Sequence, residues 1–596
     1  MIVKLKRLTL LCLAQDRDDA LTALRELGVV HVTDLRRPEG DALEALRARL
    51  DEAERALAAL PEGVEPSGSG RPAADLIAEI TAALARGREL GDRAGSLDHE
   101  LRRAGLFGEF DLSVVEELAR AGVATLLGAA RASVTLVAPE GQLLHVVSRD
   151  RERQRFVLVA PGGWGPGVPD LGGEYTVVPW PDRPLAELRA ERTEIVAELA
   201  RLDARLNALA SDRAAIRSHI ARTADAVRFA EVRAGMEEAE RFAVLGGYVP
   251  ERDCEELRGA AAEQGWGLLL DEPRPDEDVP TLLHHSRWVK PVRTILDFLR
   301  IYPGYWESDV GWVFLPFFSL FFAMIVGDAG YATLLLILTV VLQRRLDKTP
   351  RHVFHMMYIV GFATLGWGVI NGNYFGIPTL PGFLTALEIT WIQDRDNLVD
   401  LCFLIGAAHL TIAHLWNAIT HARTRAWTKV VAQAGWLIIL WSMFFLARQT
   451  VLGRAMPGFV IYLLIAGAVL VAGFMKTPRE FKESWIDHAL LPLTFIGNFV
   501  DILSYIRLFA VGYASIAVLA AFNGMAASIG FDSVLTAVAA SLLLLFANAL
   551  NIVLAGLGVL VHAVRLNTLE FSTHKGLTWA GHNLFTPFAG RREAAR

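Results

Sequence analysis

Two arginines stand inside long apolar stretches near the end of this 596-residue chain. Arg507 lies in LLPLTFIGNFVDILSYIRLFAVGYASIAVLAAF, and Arg565 in SLLLLFANALNIVLAGLGVLVHAVRLNTLEF. A cation at the centre of a membrane helix costs at least about 2.5–3.5 kcal/mol on insertion scales. Arginine cannot escape that cost by losing its proton, because its pKa stays above about 12. Such a side chain must face a partner or a water-filled path. The chemistry it suits is handling charge across a membrane.

Other polar groups gather around these two. At α-helical spacing Ser541, Asn548, Asn551, Ala555, Gly558, His562 and Arg565 form one stripe of polar or small residues, with Leu, Val and Ala elsewhere. Polar groups aligned this way face protein or water, not lipid. Ser504 and Ser515 fall on the side of Arg507. Asp501, six residues before Arg507, points elsewhere. It is either a separate proton or water site or the partner of a neighbouring helix. Asp328 sits in a turn, Gly327-Asp328-Ala329-Gly330, at membrane depth. Glu570, just past Arg565, reads as a proton exit group or an interfacial carboxylate. His409 and His414, five apart, are poorly spaced to share a metal and read as packed or hydrogen-bonded histidines. No metal site and no cofactor is expected. Cys12, Cys254 and Cys402 have no metal-type spacing and read as reduced thiols.

The elements that carry these residues divide the chain in two. Hydrophobic residues make up 53% of it, and they concentrate after Trp312, while residues 1–300 hold most of the charge. That pattern is a cytosolic half joined to a membrane half. A net charge of −7 gives no footprint for nucleic acid. The opening MIVKLKRLTLLCLAQDRDD lacks a small-residue cleavage site and reads as a strand, not a signal peptide.

In the first half, strand texture at 2–13, 28–33 and 241–272 brackets two helical segments, 41–104 and 184–238. The first is interrupted by the loop PEGVEPSGSGRP at 61–72. Leu188, Ile195, Leu199, Leu202, Leu206 and Leu209 recur at coiled-coil spacing. Between the segments lie the strand-like SVTLVAP, QLLHVVSRD, RFVLVAP and EYTVVPW. The expectation is an α/β dumbbell. Its base lobe is 1–35 plus 240–280, its antiparallel coiled-coil arm 41–104 plus 184–238, and its distal lobe 110–180. No P-loop, HExxH or GxSxG motif occurs, so docking is a better reading than catalysis.

The second half, 301–596, reads as an α-helical membrane domain of eight spans. They lie near 312–326, 329–343, 353–372, 399–420, 427–447, 457–475, 490–526 and 533–572. Fusing the first pair would give seven. The loops QRRLDKTPRH, HARTRAWTK and KTPREFKE and the end GRREAAR are basic, while 373–398 is acidic. Eight spans with both termini cytosolic obey the positive-inside rule, with only Arg448 and Arg454 against it. The last two spans are long: about 36 residues from Leu490, or ~54 Å of helix, against a hydrocarbon core of about 30 Å.

At these residues the chain resembles a known family. DILSYIRLFAVGYASIA is similar to the penultimate helix of the membrane stator subunit of V/A-type rotary ATPases, called subunit a or subunit I. HAVRLNTLEF followed by HNLFTPF resembles its terminal helix and closing Phe-x-Pro-Phe, and PFFSLFFAMIVGDAGY its first membrane motif. The resemblance implies a non-catalytic subunit of a bacterial or archaeal cell-membrane complex. Its partners would be a proteolipid ring, E/G-type peripheral-stalk subunits, a C/d-type central-stalk cap and the lipid bilayer. It implies two offset aqueous half-channels, with Arg507 and Arg565 as the two family arginines and His562 at a polar position one turn before the second. The chain departs from the pattern at two places. Ala555 stands where some relatives carry an acid, and Leu493 and Thr494 stand where another is found. Asp501, Glu570, Asp328 and water are then the remaining carriers. The competing readings are a secondary transporter, which would favour repeated halves that the sequence lacks, and a membrane-anchored coiled-coil scaffold, which leaves the arginines unexplained.

Overall fold

The computed structural model describes residues 1–596 apart from 63–69, 106–110, 165–166, 181, 347–348, 378–380, 477–484 and 591–596. Most of the loop 61–72, the basic loop KTPREFKE and the end GRREAAR lie outside the described residues. The described chain forms two compact units. One comprises residues 1–10, 27–32 and 246–588, and the other 11–26, 33–245 and 589–596.

The second unit is built from strands β3 to β7 and helices α1 to α6. After α1 (Arg17–Leu27), two long helices, α2 (Asp41–Ala58) and α3 (Ala73–Gly105), are followed by α4 (Leu112–Arg120). A four-stranded sheet then runs in the order β4-β5-β3-β6, from β3 (Val123–Arg131), β4 (Leu143–Arg149), β5 (Arg153–Pro161) and β6 (Tyr175–Val178). The chain returns through α5 (Leu185–Leu209) and α6 (Arg213–Gly235) to the short β7 (Glu237–Ala239). The segment SVTLVAP, expected as a strand, is not one. Its place in the sheet is taken by Val123–Arg131, which pairs antiparallel with both β5 and β6. Gly128 makes this possible: a Cβ there would lie 2.2 Å from the Phe156 ring, which fills the sheet's core.

α3 and α5 run antiparallel. Leu90 and Leu97 pack on Leu188 and Ile195, with Leu199 and Leu202 beside them. Three ion pairs follow the same order, Glu79 with Arg205, Arg86 with Glu198 at 2.9 Å and Arg93 with Glu191 at 2.8 Å, and Asp98 reaches back to Arg192. Hydrogen bonds from Arg205 and Arg71 hold the Glu79 carboxyl below its ordinary range. These pairs are exposed, so they set register more than stability.

The first unit contains a sheet of order β2-β8-β1-β9, made by β1 (Leu5–Leu13), β2 (His31–Thr33), β8 (Phe242–Pro250) and β9 (Gly267–Asp271). α7 (Cys254–Gln264) and α8 (Arg293–Leu299) precede the apolar helices. These are α9 (Gly311–Val326), α10 (Ala329–Arg345), α11 (Arg351–Asn371), the short α12 (Gly382–Thr385) and α13 (Thr390–Gln393), α14 (Arg395–Arg423), α15 (Trp427–Leu452) and α16 (Phe459–Phe474). After α17 (Trp485–Ala489) come α18 (Leu491–Leu503), α19 (Ile506–Ile529), α20 (Val534–Gly558) and α21 (Ser572–Lys575). Among the described residues, five helices are long and apolar enough to cross a membrane, counting Leu491–Ile529 and Val534–Lys575 as one each; α9 and α16 are shorter apolar helices.

Local chemistry fixes this arrangement. α9 and α10 are separate helices, because Gly327 at φ +64° ends the first and the Asp328 side chain caps the second. Their tip meets the far end of α11, where Ala329 donates to the Asn373 carbonyl at 2.9 Å. α15 and α16 touch through Gly435 and Gly467, small residues that let membrane helices approach. Gly512 of α19 lies against α9, and a Cβ there would come 2.4 Å from the Met324 carbonyl oxygen. That neighbour is backbone and cannot swing aside. Gly512→Ala should therefore cost about 1–3 kcal/mol through overpacking, read as a lower thermal unfolding midpoint of the purified protein. An unchanged midpoint would mean that α9 and α19 are not in this contact.

Candidate functional site

The last apolar helix is not α-helical throughout. Val559–Ala563 and Leu566–Phe571 are π-helical, on either side of Val564 and Arg565. Such turns bond i to i+5 and occur often at functional sites. They carry a consequence for side-chain direction. In an α-helix, residues five apart point roughly 140° away from each other. Across a π turn, Arg565 and Glu570 come to the same side.

Glu570 is thereby placed between both arginines. Arg507 donates through Nη2 to Glu570 Oε1 at 2.5 Å, and Arg565 Nε lies 3.5 Å from the same oxygen. The Glu570 side chain is 3% exposed, that of Arg507 21% and that of Arg565 52%. Arg507 Nε is also spent, on the Ser504 carbonyl at 2.8 Å. Its hydrogen bonds among the described residues come from Nε and Nη2, none from Nη1, and Glu570 Oε2 is buried without one. The cluster thus combines two cations, one carboxylate and unused donors on the more buried arginine. The break between α18 and α19, at Ser504 and Tyr505, provides the carbonyl that orients Arg507. Tyr505, fully buried, bonds His409 Nδ1 at 2.8 Å, and His409 is stacked between Phe317 and Phe571.

Asp501 points away from Arg507 and meets a different group. Its Oδ2 lies 3.1 Å from His574 Nε2, His574 Nδ1 lies 2.9 Å from His414 Nε2, and His414 Nδ1 lies 2.8 Å from the Gln433 side chain. Four elements, α18, α21, α14 and α15, contribute one residue each. His414 and His574 are buried. Gln433 Oε1 can only accept, so His414 donates to it from Nδ1–H and accepts at Nε2 from His574 Nδ1–H, which leaves His574 Nε2 facing Asp501.

The remaining sequence candidates fall in three places. Asp328 is 1% exposed and accepts from Gly330 and Tyr331 backbone N–H at 2.7 and 3.1 Å, so one of its oxygens serves as the α10 cap; Oδ2 has no partner among the described residues. Tyr331 donates to Asn548 at 2.8 Å, and Asn551 lies 3.5 Å from the same hydroxyl, so these two asparagines tie α20 to α10. His562 and Ser515 line a largely apolar groove of about 410 Å³ between α19 and the last helix. The expected single stripe does not persist. Ser541 and Arg565 are exposed, while Asn551, Ala555 and Gly558 are buried. The π turns rotate the lower part of the face. Ser504 bonds back to the Val500 carbonyl.

Two features had no sequence signal. A cavity of about 470 Å³ is lined by Asn371, Asn373, Glu388 and Gln393 on one side and by Leu508 and Gly512, immediately after Arg507, on the other. Arg448 and Arg454, against the charge rule, both pair with Asp400 at 2.7 Å.

No protein-family model matches this chain. It is 31% identical over 635 residues to V-type ATP synthase subunit I 1 of Treponema pallidum (strain Nichols), covering 99% of this chain and 100% of the relative. It is 27% identical over 618 residues to V-type ATP synthase subunit I of Borreliella burgdorferi, covering 98% of each. To A-type ATP synthase subunit I of Methanocaldococcus jannaschii it is 24% identical over 397 residues, 59% of this chain and 56% of the relative. A solved cytoplasmic N-terminal domain of subunit I, homolog of subunit a, of V-ATPase covers 44% of this chain at 17% identity and TM-score 0.21, too low to bear on the fold.

Proposed function

This chain belongs to the subunit I family of V-type and A-type ATP synthases, and on that premise we propose that it is the stator that passes ions to a rotating proteolipid ring. The observation that carries the proposal is the Arg507–Glu570–Arg565 cluster within apolar helices. A ring carboxylate facing lipid must be neutral, because an unpaired ion there is too costly. Beside the free Nη1 of Arg507 it is stabilised as an anion and releases its proton. Glu570 competes for the same guanidinium, which keeps the departing carboxylate from being trapped. The fixed cation also bars a direct leak between the two sides.

Two approaches flank Arg507. With eight spans and a cytosolic first half, the Asp501–His574–His414–Gln433 chain lies about 10 Å inside the cytosolic ends of α14 and α15, and serves as the inner proton path. The polar cavity at Glu388 opens from the other side and serves as the outer one. The α9–α10 hairpin favours eight crossings over seven. The antiparallel α3 and α5 form the arm, and the four-stranded sheet between them in sequence anchors peripheral-stalk subunits. The subunit itself performs no nucleotide chemistry.

Gentle solubilisation and affinity purification of the tagged chain should recover a ring proteolipid and nucleotide-binding subunits; recovery of the chain alone would contradict the proposal. Reporters at Arg36 and Glu388 should read cytosol and outside respectively. The same side for both would remove the eight-span layout. His574→Ala should lower ATP-driven pumping about tenfold or more, equivalent to about 1.4 kcal/mol of barrier, and added imidazole should restore part of it. An undiminished rate would exclude the histidine chain as the inner path.

A further inference from the structure

A short segment just before the apolar helices has two unlike faces. Val292, Ile295 and Leu296 of α8 and its approach are buried in the membrane-half core, among residues of α9 and α11. The opposite face is open. Trp288 is 84% exposed and Phe298 70% exposed, and Arg287, Lys290, Arg293 and Arg300 are exposed around them. Only Arg293 of these four has an ion pair among the described residues, with Asp297 at 3.3 Å. Two large aromatics and three unpaired cations within fourteen residues thus have no protein cover. Their position is set by the contacts of the buried face. α8 and the turn before it pack on α11, and Val289 and Val292 lie against Gly311, the first residue of α9, at the end of that apolar helix.

We propose that this face is a membrane-surface anchor that binds anionic phospholipid headgroups. Tryptophan and phenylalanine there enter the headgroup and upper acyl region, where amphipathic rings are favoured. The cations meet lipid phosphates, each favouring an anionic surface by about fivefold. Long basic side chains reach outward while their stems lie along the apolar boundary. Charge complementarity selects the bilayer as the occupant: a face made to dock on another basic-poor, apolar protein surface would not ring its aromatics with unpaired cations. The anchor fixes the height at which the chain enters the membrane, independently of whether Arg507 serves a ring.

The test uses the full chain in lipid nanodiscs carrying Phe298→Cys labelled with an environment-sensitive fluorophore. The three native cysteines are buried, so the label goes to position 298. In phosphatidylglycerol-containing discs the label should be quenched by lipid carrying a shallow acyl-chain nitroxide and shielded from aqueous iodide. In purely zwitterionic discs both effects should weaken. Arg287→Gln with Lys290→Gln and Arg300→Gln should remove that lipid dependence and lower the phosphatidylglycerol retained on the protein in native mass spectrometry, by about fivefold per charge. Free access of iodide without lipid quenching would overturn the proposal. So would protection from both quenchers, which would mean a protein cover, and so would equal quenching in the two lipids.

Discussion

Glu570→Ala should be among the most damaging single substitutions in the membrane half. Its carboxylate is nearly fully buried and is shared by two guanidiniums. Removing one member of a buried ion pair leaves an uncompensated charge and costs about 3–5 kcal/mol. Most of that falls on Arg507, because Arg565 is half exposed and screened. The expected result is a lower unfolding midpoint and ATP-driven pumping below about a tenth of the wild-type rate. Glu570→Gln keeps the volume and one acceptor oxygen, so its stability loss should be smaller. A double variant, Arg507→Ala with Glu570→Ala, should lose less stability than the two single losses added, since the pair is in direct contact. Strict additivity in thermal unfolding would show that the contact contributes nothing.

Arg507→Lys should also fail, although charge is nominally kept. The present geometry uses Nε on the Ser504 carbonyl and Nη2 on Glu570, and leaves Nη1 free. A lysine ammonium is a single point and cannot hold both partners while meeting a third carboxylate. Desolvated, it also releases its proton. ATP-driven pumping should fall by more than about tenfold, beyond about 1.4 kcal/mol of barrier. Passive proton flux through vesicles, measured without ATP under an imposed pH gradient, should rise. Arg565→Ala should be milder, because its guanidinium is farther from Glu570 and more exposed. Equal defects at the two positions would contradict the ranking that distance and exposure give them, and a larger defect at Arg565 would reverse it.

The long helices were legible because apolar stretches of that length have few other uses, and the two arginines because their cost demands a purpose. Glu570 was legible as a candidate but not as the shared partner of both arginines. That relation depends on two π turns, and no residue pattern in HAVRLNTLEF announces them. The first of these turns also carries Arg565 off the buried face of Asn551, Ala555 and Gly558, while Ser541 is exposed on the regular helix before them. His574 lies 73 residues from Asp501 and on a separate helix, so only tertiary packing joins them. In the first half, Val123–Arg131 was missed because its Ala and Gly content is poor in strand formers. It is a strand because Gly128 admits Phe156. SVTLVAP has the better composition and no partner strand, and tertiary pairing overrides propensity.

The most direct test of Arg507 as the charge that meets a ring carboxylate is a paired measurement on assembled complex carrying Arg507→Ala. ATP hydrolysis and dye-quench acidification are followed in the same reconstituted vesicles, with subunit content checked on the same preparation. Acidification should be abolished in a complex that retains all its subunits, with passive leak increased. Acidification at the wild-type rate, from a fully assembled Arg507→Ala complex, would contradict the assignment of this chain's Arg507 to ion transfer.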